Sequence, residues 1–271
     1  MPAEQAPSVP RKRTWGALST LSANVGLPLL SFLALLLLWE AAVVLLRIPE
    51  FILPAPNQFL QRVLNSRELL WTHTIVTTNE ILLGFALATG ISIPLALIIV
   101  SVRLLERSLY PLIVFFQLVP KIAVAPLFIV WFGFGPFPKV LLTFLLCFFP
   151  TLVASMSGFK ATDPRLFYLT RSMGASRWQT FRYIRVPAAL PFIFSGLKVS
   201  MVFAVTGAIV GEFVGANAGL GYLLLRGTSY LDTPLIFAVL VVLSVVGLVL
   251  SYAVQVAELL IMPWQRFREE S

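Results

Sequence analysis

Six long apolar runs constrain the fold of this 271-residue chain more than any other feature of its sequence. A helix needs about 20 mostly apolar residues to cross the hydrocarbon core of a bilayer. The runs have this length, so they predict six membrane-spanning helices. The predicted spans cover residues 27–46, 79–100, 109–132, 139–158, 192–214 and 235–262.

The composition supports a membrane protein rather than a soluble one. Hydrophobic residues make up 58% of the chain and charged residues 12%, whereas soluble domains carry about 25% charged residues. The net charge of +8 does not indicate nucleic-acid binding, because the basic residues lie between apolar spans. The predicted fold is an all-α polytopic bundle of six transmembrane helices with a two-helix loop on the cytoplasmic side.

The distribution of Lys and Arg predicts the orientation. Basic residues are enriched in cytoplasmic loops, and an even number of spans places both termini on one side. With the termini in the cytoplasm, 13 basic residues lie inside and five outside, so this orientation is favoured. The inner set is Arg11, Lys12, Arg13, Arg103, Arg107, Lys160, Arg165, Arg171, Arg177, Arg182, Arg185, Arg266 and Arg268, and the outer set is Arg47, Arg62, Arg67, Lys139 and Arg226.

Segments at the two ends differ in composition from the spans. Residues 1–26 are polar and rich in proline, which predicts disorder. The apolar run that follows is longer than a signal-peptide core of about 7–15 residues, so we expect a retained first span. The transmembrane domain is then expected over residues 27–262, with a cytoplasmic tail at 263–271.

Few residues could support catalysis or metal binding. The chain has one cysteine, Cys147, and one histidine, His73. An intramembrane enzyme would need several reactive side chains at one depth, so we expect no catalytic site and no metal site. Glu40, Glu80 and Glu258 lie near the ends of predicted spans, where water is close.

The fifth predicted span carries small residues at helical spacing. Steps of three and four residues place them on one face, where small side chains let helices approach closely in lipid. This face is expected to contact another span or a second copy of the chain. The small residues are Gly196, Ser200, Ala204, Gly207, Gly211 and Gly215.

Two ionisable residues within apolar segments are candidates for a translocation path, together with Ser200, Gly207 and Gly211 of the small-residue face. An ionisable side chain in a span is a functional candidate. Glu212 follows Gly211, and it either contributes to the path or hydrates its outer mouth. Lys121 lies beside Pro120, and it either faces the path or contacts backbone carbonyls.

Proline occurs within several predicted spans, at positions 94, 120, 126 and 150. These residues either bend helices that line a path or serve packing of the bundle.

The long polar loop over residues 159–191 has the signals of two short helices. Asp163 and Pro164 are a typical helix start, and Gly174 can end that helix in the left-handed conformation. Ser176 and Gln179 fit a capping box that starts a second helix. Trp178, Phe181 and Ile184 form its apolar stripe, and Pro187 and Pro191 are expected to end it. Such a loop suits either a groove on a partner protein or an anionic lipid surface.

The second part of this loop resembles the cytoplasmic "EAA" loop of bacterial ABC importer permeases. Gly174 is followed by nine residues and then by Ile184-Arg185-Val186-Pro187, which matches the end of the family pattern except for Val186 in place of leucine. Tyr168-Leu169-Thr170 stand where the family has Glu-Ala-Ala. Two further stretches, "LVPKIAVAPLFIVWFGFG" (118–135) and "GEFVGANAGLGYLL" (211–224), resemble the nitrate/taurine/sulfonate permease subfamily.

The resemblance implies a transport subunit rather than an enzyme, located in the bacterial cell inner membrane. It implies a homodimer of permeases, two cytoplasmic ATPase subunits docked on the loops and an extracytoplasmic solute-binding protein. The docking turn would be Met173, Gly174, Ala175, Ser176 and Arg177, followed by Ile184 and Pro187, which match the end of the family pattern. This chain lacks a Gly-x-x-x-x-Gly-Lys-Ser/Thr phosphate cradle, so ATP and Mg are expected on the ATPase and no cofactor on this chain.

The solute is expected to be small and anionic, such as nitrate, taurine, an alkanesulfonate or bicarbonate, although relatives also carry pyrimidine or vitamin precursors. Lys121 is a weak indication of an anion. The competing hypothesis is a channel or secondary carrier that needs neither ATP nor partner subunits.

Overall fold

The computed structural model describes the backbone of residues 16–264 and the side chains of residues 26–28 and 30–264. All regular secondary structure in that range is helical. The helices are α1 (Gly16–Leu45), α2 (Pro56–Asn65), α3 (Arg67–Ser101), α4 (Arg103–Leu118), α5 (Ala125–Phe132), α6 (Pro136–Lys160), α7 (Pro164–Ser172), α8 (Arg177–Thr180), α9 (Val186–Gly215), α10 (Leu220–Ser229) and α11 (Thr233–Ile261), with a 3-10 turn at Lys121–Val124 and a π-helical segment at Phe181–Arg185.

The long helices correspond to the predicted spans. Within the described residues, five helices are long and apolar enough to cross a membrane: α1, α3, α6, α11 and the run that ends with α9. A sixth crossing is reached when α4 and the segment through α5 are taken together, with a bend of 79° between them. The all-α, six-span prediction is therefore confirmed at the level of the fold.

The third predicted span is not one straight helix. The helix stops at Leu118, and Val119 is extended with φ −61° and ψ 130°. Proline disfavours the helical conformation of the residue before it, and it offers no N–H to the helix. Pro120 therefore breaks the span predicted over residues 109–132, and α5 leaves in a new direction.

Two helices begin before the apolar runs that predict their spans. The second span was expected from residue 79, but α3 begins at Arg67, because polar residues of its first turns do not prevent a helix from extending beyond the apolar run. Helix α1 begins at Gly16, within the segment predicted to be disordered, and its membrane-spanning part, Gly26–Leu45, agrees with the predicted first span. The rest of the predicted disorder, at residues 1–15, and residues 265–271 of the predicted tail lie outside the described residues.

Helix α6 lies at the centre of the bundle, between α3 and α9. The small-residue face of α9 lies against α6 of the same chain. A Cβ added to Gly207 would be 2.8 Å from the Cα of Thr143, and one added to Gly211 would be 3.1 Å from the Cα of Lys139. On the other side of α6, a Cβ on Gly84 would be 2.5 Å from the Cβ of Thr143. Of the two predicted contacts for this face, another span or a second copy of the chain, the structure shows the contact with another span.

The polar loop continues into α9 without interruption. Residues Arg177–Gly215 form one run of 39 helical residues, so the expectation that Pro187 and Pro191 end the second loop helix is wrong. The π-helical segment explains why. Val186 donates its N–H to the carbonyl of Phe181, and Pro187 then falls in the first turn of α9, where a missing N–H is tolerated.

Candidate functional site

The first candidate site is the helical elbow, which we define as residues 161–185. Its first helix begins where predicted, because the Asp163 carboxylate accepts a hydrogen bond of 2.8 Å from the N–H of Arg165. Its second helix has the predicted capping box: Ser176 Oγ accepts from the N–H of Gln179, and Gln179 Oε1 accepts from the N–H of Ser176.

The turn between these two helices depends on glycine. Gly174 has φ +77°, a conformation that costs other residues free energy because of their Cβ atoms. No atom lies within 4 Å of a Cβ built at this position. The turn therefore projects into open space and would accept a partner surface without rearrangement of the bundle.

The surface of the elbow combines apolar and basic side chains. Met173 is 77% exposed and Trp178 is 65% exposed, and an exposed patch of apolar side chains marks a surface for a partner protein or a membrane. A cleft of about 260 Å³ lies beside them and is lined by Arg171, Arg177 and Arg185. This surface can receive an apolar and acidic partner.

The base of the elbow is fixed to the bundle. Arg185 donates from Nε to the carbonyl oxygen of Phe159 at 3.3 Å, and its guanidinium lies over the Phe159 ring. Lys160 at the end of α6 forms an ion pair of 2.5 Å with Glu106 of α4. The predicted site residues Ile184 and Pro187 are half-buried, so they belong to this base. The other predicted residues lie at the tip of the elbow. Ala175 is partly exposed there, and the exposed ones are Met173, Gly174, Ser176 and Arg177.

The second candidate site lies at the opposite end of the bundle, and we call it the glutamate–lysine cluster: His73, Thr77, Glu80, Lys139 and Glu212. Lys139 of α6 forms a salt bridge with Glu80 of α3. Glu80 is 3% exposed and Lys139 is 7% exposed. The expectation that water is close to Glu80 is therefore wrong, because α3 extends a further three turns beyond the predicted span and α6 covers this carboxylate.

Glu212 has no exposed surface, like Thr77 beside it. Its carboxylate accepts a hydrogen bond of 2.6 Å from Thr77 Oγ1 and one of 2.5 Å from the N–H of Gly221. A Cβ on Gly221 would lie 2.8 Å from Glu212 Oε2. Glycine at this position is what allows the carboxylate to reach the backbone.

Neighbouring amides at the start of α10 are held by the same cluster. The N–H of Gly219 donates to His73 Nδ1 at 2.8 Å, and the N–H of Leu220 donates to Thr77 Oγ1 at 2.8 Å. The first N–H groups of a helix have no partner within the helix. Three side chains from α3 and α9 thus supply acceptors for Gly219, Leu220 and Gly221, and they fix the start of α10 to the bundle.

The predicted path residues fall into two places. Ser200, Gly207, Gly211 and Glu212 share the face of α9 that is buried against α6 and its neighbours. Ser200 Oγ lies 2.7 Å from Thr151 Oγ1 of α6. Their assignment to a translocation path stays a prediction.

Lys121 is separate from those four residues, in the turn after the Pro120 break. Its Nζ donates to the carbonyl of Gln117 at 2.7 Å and lies over the Phe149 ring, 4.9 Å from its centroid. This contact corresponds to the second of the two alternatives for Lys121, a lysine that contacts a backbone carbonyl.

Sequence reasoning missed most of the cluster. Only Glu212 is among the predicted site residues, whereas Glu80 is predicted to lie near water, Lys139 belongs to the predicted outer set of basic residues, and His73 has no predicted role. Glu80 and Lys139 could have been found because each lies next to an apolar span, and charges buried in a membrane need partners of the opposite sign. Among the residues that the structure describes, no group of three histidine, cysteine, aspartate or glutamate side chains could hold a metal ion.

Known proteins resemble this chain over most of its length. It is 38% identical over 240 residues to the formylaminopyrimidine transport permease protein ThiX of Halalkalibacterium halodurans, covering 88% of this chain and 96% of the relative. It is 39% identical over 245 residues to the riboflavin transport system permease protein RibX of Chloroflexus aurantiacus, covering 89% and 90%. The taurine transport system permease protein TauC of Escherichia coli is 27% identical over 251 residues, covering 90% and 91%.

A solved structure with the same fold is an inward-facing conformation of the MetNI methionine ABC transporter. It has a TM-score of 0.59 and 19% sequence identity, and the match covers 73% of this chain and 97% of that chain. The family model for binding-protein-dependent transport system inner membrane components matches residues 81–265. This range contains the elbow and two of the five members of the cluster, Lys139 and Glu212. The chain is therefore a multi-pass membrane protein that belongs to the family of binding-protein-dependent transport system inner membrane components.

Proposed function

We propose that this permease subunit works in an ATP-driven importer as a homodimer, with two cytoplasmic ATPase subunits and an extracytoplasmic solute-binding protein. The elbow is the observation that carries the proposal. An exposed turn with apolar and basic side chains, capped at both helices, is suited to a groove on a partner protein. ATP and Mg are proposed to bind to the ATPase, and this chain transports without a cofactor of its own.

The continuity of Arg177–Gly215 supports mechanical coupling by the elbow. A helix rises about 1.5 Å per residue, so this run is roughly 55–60 Å long and joins the elbow to the glutamate–lysine cluster. Movement of a docked elbow would act directly on α9, without a flexible joint between them. Alternating access then follows from movement of α9, together with the helices bonded to it, relative to the rest of the transporter.

The proposed location is the bacterial cytoplasmic membrane, with both termini and the elbow in the cytoplasm. The excess of arginine and lysine in the elbow and neighbouring connections supports this orientation. The glutamate–lysine cluster and α10 would then lie near the outer surface. Met173 and Trp178 could equally contact a lipid surface, because both side chains are exposed and apolar. The test of the proposal is therefore whether an ATPase binds to the elbow.

For the solute, we propose a pyrimidine-like or other heterocyclic compound. The two relatives that share 38% and 39% identity are named for formylaminopyrimidine and riboflavin, whereas the taurine relative shares 27%. Lys121, the one indication of an anion, already contacts a carbonyl and an aromatic ring. A small anion such as nitrate, taurine, an alkanesulfonate or bicarbonate is the second candidate, and the taurine relative supports it.

The test is affinity purification of the tagged protein from its native membrane in mild detergent, wild type beside Gly174→Arg and Gly174→Asn. Asparagine tolerates the left-handed conformation better than most residues, so it separates backbone strain from bulk at the tip. We expect an ATPase to co-purify with wild type, to be lost with arginine and to be partly retained with asparagine. Absence of an ATPase from wild type, with ATP-independent flux in liposomes, would instead support a channel or secondary carrier.

The same preparation identifies the solute class. The complex is reconstituted with its binding protein, and uptake of formylaminopyrimidine, riboflavin, taurine and nitrate is measured with and without ATP inside. Uptake of a heterocycle alone supports the proposal. Uptake of taurine or nitrate alone would replace it with the anionic candidate.

A further inference from the structure

Helix α10 is held at its start by hydrogen bonds that all lead back to α3 and α9. Of these, the bond from Gly221 N–H to Glu212 is the one made to α9. The bonds from Gly219 and Leu220 go to His73 and Thr77 of α3. Glu212 also accepts from Thr77, so its carboxylate joins all three helices in one buried network.

Glu212 occupies the far end of the same continuous helix that begins at the elbow. Gly215, three residues later, is the last residue of α9. The backbone between Gly215 and α10 contains only a short connection through Ala216–Gly219. Displacement of the end of α9 must therefore either carry the start of α10 with it or break the contact at Glu212.

Lys139 and Glu80 support this arrangement from the side of α6. Their salt bridge is buried beside Glu212, and Gly211 allows the backbone of Lys139 to approach α9. Buried charges are costly unless they are paired and hydrogen-bonded. Of these three ionisable groups, Glu212 accepts from a backbone amide, that of Gly221, which an apolar side chain in its place could not do.

We propose that Glu212 is a positioning residue that ties the start of α10 to α9, so that α10 moves with α9 as the transporter cycles. The inference rests on the proposed ATP-driven function, because ATPase action at the elbow would supply the movement. The position of the outer helix α10 would then depend on the state of the cytoplasmic ATPase, because α9 and the Glu212 carboxylate connect the two.

Glutamine at position 212 separates hydrogen bonding from charge. Its Oε1 can accept from Gly221 N–H, and its amide can donate to Thr77 Oγ1, which then donates to the carbonyl of His73, 3.2 Å away. Alanine removes both contacts. Glu258→Ala is the matched control, because Glu258 is paired with Lys198 on the elbow half of the bundle and does not contact α10.

The measurement is hydrogen–deuterium exchange of peptides covering residues 216–225, in the complete transporter in nanodiscs, at rest and trapped with ATP and vanadate. Solute transported per ATP hydrolysed is measured on the same samples. In wild type we expect exchange of this segment to differ between the two states. In Glu212→Ala we expect this segment to exchange roughly 10- to 100-fold faster at rest, because a hydrogen bond to a charged acceptor is lost. We also expect its exchange to be independent of nucleotide. Less solute should be transported per ATP hydrolysed.

Glu212→Gln should restore both readouts, and Glu258→Ala should leave exchange at 216–225 unchanged. Nucleotide-dependent exchange in Glu212→Ala equal to that of wild type would overturn the inference. So would a glutamine variant that behaves like alanine, because charge rather than hydrogen bonding would then be responsible. If wild type shows ATP-driven uptake but its exchange at 216–225 does not depend on nucleotide, only the inference about Glu212 is overturned. If wild type has no ATPase, the proposed function is overturned as well.

Discussion

Gly207 of α9 lies directly against Thr143 of α6, with no space for a side chain between the two backbones. Thr143 is fully buried, and its other side faces Gly84 of α3. One threonine is therefore enclosed by glycines from two different helices. This close approach sets the separation of the three central helices.

Gly207→Ala should destabilise the protein, because the new Cβ would be 2.8 Å from the Thr143 Cα. Overpacking of this kind costs about 1–3 kcal/mol, and the melting temperature in detergent should fall. Gly247→Ala is the control, since its Cβ would make an ordinary contact of 3.8 Å with Val205. Equal melting temperatures for the two variants would contradict the proposed close contact.

Removal of one partner of the Glu80–Lys139 pair should be more damaging than removal of both. A single buried charge without its partner costs about 3–5 kcal/mol, whereas replacement of both charges is often tolerated. We therefore expect Glu80→Gln and Lys139→Met to lower stability separately, and the double variant to recover part of the loss. Thermal unfolding of all four proteins gives the double-mutant cycle, and simple additivity would show that the two residues do not interact.

Ser176→Ala should weaken the elbow without affecting the bundle. Loss of a helix cap costs about 1 kcal/mol, and the second elbow helix is short, so its exchange protection and its retention of an ATPase should both decrease. Ser176→Thr keeps a hydroxyl at the cap and should resemble wild type. A threonine variant as weak as the alanine variant would point to the shape of the side chain rather than the capping bond.

Lys121→Met tests whether the transport path uses this charge. The Lys121 ammonium is already bonded to the Gln117 carbonyl, so for a heterocyclic solute we expect less than a twofold change in uptake, with a modest loss of stability. Lys121→Arg retains the charge and serves as the comparison. A large loss of uptake with methionine, restored by arginine, would support an anionic solute.

The elbow could be predicted almost completely because its signals are local. Asp163, Gly174 and the Ser176–Gln179 box act within three or four residues of the chain, and each has the predicted contact or conformation. The exception was the end of the second helix. Proline normally ends a helix, but the π-helical segment shifts the hydrogen-bond register so that Pro187 is accommodated.

The sequence by itself determined the class of protein, the six apolar segments, the small-residue face of α9 and the capped elbow, since composition, periodicity and caps are properties of neighbouring residues. Only the tertiary structure decided that this face contacts α6, and that Glu80, Lys139 and Glu212 meet with the start of α10. These three residues come from different helices, and their separation along the chain carries no information about distance in space. Burial from water made their pairing necessary, and the way α3, α6 and α9 pack together chose the partners.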